Sequence, residues 1–260
     1  METIQADSRF HFSQYKTPLN FNLKFNMNSI RISSMKYARF AGLLYILIAI
    51  FSGFSMGYLP TILIAKGDAA ATVQNFNRHW ELFQLGLAAD ILVCIIEIVL
   101  SVILYQLFKE VNRAISMMAM FYRQAMAIIM GINLINYLMP VTLMNGQDYL
   151  SAFEPNQLES LALFFLEAHQ IVVLIWGIFF GFHLVLLGYL VFRSGLFASW
   201  LGALLMAGGF GYVVESSKEF LFPQVELFSW LAIALLGCAV ISELTFAILL
   251  LVKGRKVFSN

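Results

Sequence analysis

A chain of 260 residues that is 60% hydrophobic and only 12% charged, with a mean hydropathy of +0.80, is too apolar for a soluble domain. Disorder, collagen and a disulfide scaffold are excluded by the same arithmetic, since 25 Phe and 2 Cys fit none of them. A net charge of +1 leaves no electrostatic footprint for nucleic acid, so the partner that composition does imply is the lipid bilayer. Cys94 and Cys238 both lie in apolar runs, where a thiol behaves as a small hydrophobe, and no disulfide is expected.

Residues 1–34 hold scattered Asn, Ser and Phe, with no apolar run of spanning length and no compact signal-peptide core before a cleavage site. They read as a disordered leader. Met35, followed by Lys36-Tyr37-Ala38-Arg39 and an apolar run, is an equally good translation start, which would leave the leader untranslated. An amphipathic surface anchor is the competing reading, and the Phe positions show no sustained helical period to support it.

Residues 35–256 form the membrane domain, and 257–260 a short tail. A bilayer core of about 30 Å needs about 20 mostly apolar residues per helix, and six runs meet or approach that length. They cover about 41–65, 82–108, 114–144, 161–192, 196–214 and 227–252. Twelve of the sixteen Lys and Arg flank these runs on one side, three (Lys66, Arg78, Lys218) lie on the other, and Arg123 falls within the third run. Because positive loops stay cytoplasmic, the bias and the even number of spans both predict an all-α bundle of six membrane helices with both termini cytoplasmic.

The connections carry their own signals. Asp68 before Ala69-Ala70-Ala71 predicts an N-capped extracytoplasmic helix that runs into the second span. The loop from Asn145 to Ser160 has Asp148, Glu154 and Glu159 and no cation, as suits a translocated segment, and Arg193-Ser194-Gly195 predicts a helix stop. Gly208, Gly209 and Gly211, with Ala203 and Ala207, predict close helix packing by the fifth span.

Ionisable residues within spans are costly unless they face the bundle interior. At 1.5 Å per residue, Glu97, Arg123, His183 and Glu243 all fall ~15 to 18 Å from the cytoplasmic edge, which predicts one midplane layer. Asp90, Asn133, Asn136, His169 and Glu215 fall at ~28 Å or more, and Asp90 shares a helix face with Glu97, as His169 does with His183. The expectation is a polar column running from an outward-facing pocket, lined by Asp90, Asn133, Asn136, His169 and Glu215, down to the midplane cluster. The plainer reading of Arg123, Glu97 and Glu243 is an ion-pair cluster fixing helix register. The plainer readings of His183 and His169 are a hydrogen-bonded core residue and an interface ring, and Trp176, Trp200 and Trp230 read as packing or belt residues.

No second helix offers a His pair to match His169 and His183, so no haem or other cofactor is expected. No HExxH or Cys/His cluster marks a metal site, and Ser52 and Ser55 stand outside any GxSxG. Midplane Glu, Arg and His would suit a proton-coupled carrier, but no internal repeat is evident.

The segments Ala38-Arg39-Phe40-Ala41-Gly42-Leu43-Leu44-Tyr45, Gly67-Asp68-Ala69-Ala70-Ala71-Thr72, Leu85-Gly86-Leu87-Ala88-Ala89-Asp90, Leu187 to Gly195 and Leu250-Leu251-Val252-Lys253-Gly254 together resemble the bacterial multi-pass family catalogued as domain of unknown function 4386. The likeness covers about residues 36–255 and departs at Ala198, where the family carries proline. It implies a bacterial inner-membrane location and lends no catalytic residue. The residues point to binding of a small polar or lipid-headgroup ligand, with Arg123 anchoring an anionic group or the two glutamates and His183 as the pH-sensitive member. The alternatives are a membrane enzyme using His169 with Asp90 or Glu215, on a metal or as acid and base, and a structural or accessory subunit.

Overall fold

The computed structural model describes residues 27–146 and 148–257, and among them the chain is helical with no strand. The leader expected over 1–34 lies largely outside these residues, although 27–34 are helical and open the first helix. Helix α1, Met27–Ser52, passes through a π-helical turn at Gly53–Tyr58 into the short α2, Leu59–Leu63. Then follow α3 (Ala69–Arg78), α4 (Trp80–Phe108), α5 (Arg113–Met144), α6 (Pro155–Ser194), α7 (Ser199–Leu221) and α8 (Glu226–Val257).

The caps explain several boundaries. Asp68 accepts a hydrogen bond from Ala71 N at 2.9 Å and starts α3, but His79 breaks the expected continuity into α4 with a backbone that is not helical. Asn112 accepts from Ile115 N at 3.0 Å and starts α5, and Glu154 with Gln157 forms a reciprocal capping box that starts α6. That box places the start of α6 ahead of its apolar run. At the other end Gly195, with φ of +65°, closes α6 in the left-handed region that a side chain disfavours.

Five stretches are long and apolar enough to cross a membrane: Lys36–Leu63, Trp80–Phe108, Arg113–Met144, Pro155–Ser194 and Glu226–Val252. The protein is a multi-pass membrane protein. The expected sixth, α7, does not join this group, because Gly202, Gly208, Gly209 and Gly211 give it little apolar side chain and its last turns hold Glu215, Lys218 and Glu219. It also runs on past Val214 to Leu221, so Glu215 sits inside the helix rather than at its end.

The long helices form a ring. Helix α1 packs on α4, α4 on α5, α5 on α6, α6 on α7, α7 on α8, and α8 returns to α1. At the end where α1 begins, a large apolar core including Leu100, Phe108, Leu184, Leu201, Phe246 and Leu250 fills the centre. At the opposite end Leu59, Leu63, Phe76, Phe83, Tyr137 and Leu166 form a second cluster, with α2 and α3 folded over it as a cap. Cys94 and Cys238 are free thiols.

Candidate functional site

Between the two apolar clusters the ring encloses a cavity of about 810 Å3. Its lining is apolar apart from a few groups that include Asp90 and Glu97 of α4, Arg123 of α5, Glu243 of α8 and Tyr45 of α1. Asp90 and Glu97 are seven residues apart, two helical turns, so one face of α4 delivers both carboxylates to the same space.

Arg123 is 1% exposed and organises the floor. Its Nε stands 2.5 Å from Glu97 Oε2, and its NH1 donates to Tyr45 Oη at 3.1 Å. NH1 also meets His183 Nε2 at 2.9 Å, while His183 Nδ1 stands 2.9 Å from the carbonyl oxygen of Ala119. A backbone carbonyl can only accept, so Nδ1 carries the proton and Nε2 presents its lone pair to the guanidinium. The imidazole is therefore neutral with both nitrogens engaged, which fits a core histidine and leaves it no open position for the pH-sensitive role. Asp90 accepts a hydrogen bond from the hydroxyl of Ser55, which the π-helical turn carries inward. Glu243 is half-buried, lines the cavity and makes no hydrogen bond or ion pair among the described residues.

The outer group assembles differently from the expected pocket. Asn133 Nδ2 donates to the His169 carbonyl at 3.0 Å, and Asn136 Nδ2 donates to Asn133 Oδ1 at 2.9 Å. The His169 ring stacks on Tyr137 with centroids 3.8 Å apart. These contacts clasp α5 to α6, and Asn133, Asn136 and His169 do not line the cavity. Glu215, on α7, stands with Lys218 and Glu219 one turn along its own helix and does not line it either. Of the five, Asp90 alone reaches the cavity, and it does so beside the midplane cluster. Among the described residues no three His, Cys, Asp or Glu side chains are grouped as a metal site would need.

Sequence reasoning passed over three contributors. Tyr45 and Ser55 are ordinary residues in an apolar run until the fold turns them toward Arg123 and Asp90. Trp176, read as packing, stacks on Phe180 at 5.0 Å and meets Tyr212 edge-on at 5.9 Å, and all three rings wall the cavity. No spacing signal joins residues from two helices in this way.

The mouth of the cavity lies in the α1–α8 seam. Ala49 and Ile50 of α1, Gly53 and Gly57 of the π-helical turn that follows it, and Val240 and Leu244 of α8 line the cavity and are exposed, with Ile50 at 59% and Val240 at 57%. A Cβ placed on Gly53 or Gly57 would meet nothing within 4 Å. Nearer the start of α1, a Cβ on Gly42 would stand 2.6 Å from Leu251 N, so there the two backbones touch. The seam is closed at one end and parted at the other. Its parted length falls within Lys36–Leu63 and Glu226–Val252, helices long and apolar enough to cross a membrane, so the mouth lies on the flank of the bundle.

The family described as "Domain of unknown function (DUF4386)" matches residues 40–254. An uncharacterized protein of Archaeoglobus fulgidus is 30% identical over 166 residues, which is 64% of this chain and 82% of that protein. No solved structure matches the chain.

Proposed function

This chain belongs to the family described as domain of unknown function 4386, and from that premise we propose that it is a six-span bundle of the bacterial inner membrane, with both termini cytoplasmic, that binds a small amphiphilic ligand from the bilayer. Helix α7 is the sixth span on this reading, carried across by its neighbours α6 and α8 rather than by its own apolarity. The observation that carries the binding role is the cavity itself: about 810 Å3 of largely apolar space with Asp90, Glu97, Arg123 and Glu243 at its polar end and an apolar mouth between two membrane helices. A ligand with a polar head and an apolar body matches both ends, and a lipid headgroup or a small hydrophobic molecule with one polar group satisfies that chemistry.

A second reading, an accessory subunit in which the polar layer only sets register, draws on the engagement of Arg123 with Glu97, Tyr45 and His183. It leaves the cavity and the unpartnered Glu243 without a purpose. Closing the mouth separates the two. A Cβ on Gly53 meets nothing within 4 Å, so the side chain of Gly53→Trp starts in open space at the mouth, and its yield and thermal unfolding are compared with the parent protein. Native mass spectrometry of the parent protein should then show a co-purifying amphiphile that Gly53→Trp lacks. An empty parent protein would favour the accessory subunit. Topology is tested by Asp148→Cys and Arg193→Cys: only the first should react with an impermeant thiol reagent added outside intact cells.

A further inference from the structure

Resting on the reading of the cavity as a binding site, we propose that its ligand is a hydrophobic ammonium compound, an amine bearing a positive charge, whose head lies between the carboxylates of Asp90 and Glu243 and the rings of Trp176, Phe180 and Tyr212. Its apolar body would lie toward the α1–α8 mouth.

The charge balance leads there first. Three carboxylates and one guanidinium line the cavity. The guanidinium is engaged through two of its three nitrogens, Nε with Glu97 and NH1 with Tyr45 and the lone pair of His183. Asp90 has only the neutral Ser55 hydroxyl, and Glu243 has no partner among the described residues. Carboxylates removed from water call for a cation or a proton, and none of the other groups named on this cavity supplies the cation. An anionic head would have to reach the remaining guanidinium nitrogen among three carboxylates that repel it. A neutral head offers Asp90 and Glu243 no counter-charge.

The aromatic wall is a second, independent feature. Trp176 stacks on Phe180 at 5.0 Å, and Tyr212 stands edge-on to Phe180 at 4.9 Å. Ring faces carry negative charge density, and a desolvated ammonium gains from them in a way that neither an anion nor an alcohol does. Carboxylate and aromatic face together are a cation's environment, and the mouth selects for one carrying apolar bulk.

Trp176 also supplies the readout. The other three tryptophans, Trp80, Trp200 and Trp230, lie at the surface and are replaced by Phe, leaving an indole on the cavity wall. The protein in phosphatidylcholine nanodiscs is titrated with bromoalkyl chains of equal length ending in trimethylammonium, hydroxyl or phosphate, and bromine quenching of Trp176 is recorded. The trimethylammonium compound should quench saturably, at a concentration at least about tenfold below the other two. Glu243→Gln should raise its half-saturation about tenfold and leave the alcohol unchanged. Equal or tighter binding of the alcohol or the phosphate overturns the cation while the binding site stands. An unshifted titration in both Glu243→Gln and Asp90→Asn overturns it too. If none of the three quenches saturably, the binding site falls with it. Head-group selectivity in the parent protein decides the matter even where a variant fails to fold.

Discussion

The α6–α7 seam and the α1–α8 seam are both made by glycines, yet they do opposite things. Along α6–α7, a Cβ on Gly181 would stand 2.6 Å from Gly209 O and one on Gly188 would stand 2.7 Å from Gly202 O, so the two backbones touch at both levels. Along α1–α8 the contact at Gly42 is as close, but Gly53 and Gly57 face open space. The same residue type removes volume in both places. Where a second backbone moves in, the result is packing, and where none does, the result is a doorway.

The first way to test this contrast is to set its scale with a site on neither seam. Glu97→Leu leaves the Arg123 guanidinium buried against α5 without its ion partner and should cost about 3–5 kcal/mol. Thermal unfolding in detergent would register it, and the double variant Glu97→Leu/Arg123→Met should recover much of the loss. If the double variant is as unstable as the single one, the network is not a closed pair.

Next in size comes the closed seam. Gly209→Val drives a branched side chain into the α6 backbone and should cost about 1–3 kcal/mol, with Gly42→Val behaving alike at the closed end of α1–α8. Tyr45→Phe follows, by taking from Arg123 one acceptor in a buried network, at about 1–3 kcal/mol. Smallest is the open length. Gly53→Ala and Gly57→Ala meet nothing and shed a glycine from a helix, so stability should stay level or rise by about 0.4–1 kcal/mol. A loss at Gly53→Ala comparable with that at Gly209→Val would erase the distinction between the seams.

Much of the architecture can be read from sequence because the rise of a helix is fixed. Counting residues from Lys109, Arg113 and Arg193 puts Glu97, Arg123 and His183 at one depth, and in the structure they touch. Counting does not give rotation about the axis. Asn133, Asn136 and His169 lie at comparable depths to Asp90, but they turn toward the α5–α6 contact while Asp90 turns toward the cavity. Composition alone likewise leaves α7 ambiguous, since its glycines lower apolarity and promote packing at once. Gly53 and Gly209 look alike in sequence because what distinguishes them is on another helix.

The two edges of α1 are held unequally. Toward α4 the stretch just after α1 is fastened twice, by the hydrogen bond from Ser55 to Asp90 and by Leu59 against Gly86, whereas toward α8 the backbones touch at Gly42 and Tyr45 packs edge-on against Phe246. The part of α1 gripped by α8 is thus also the part that carries Tyr45, the acceptor of Arg123, while the π-helical turn at Gly53–Tyr58 leans on α4 and leaves its glycines open. The parted length of the seam and the anchored floor are separate stretches of one continuous segment, so bulk added at Gly53 or Gly57 does not touch the contact between Tyr45 and Arg123.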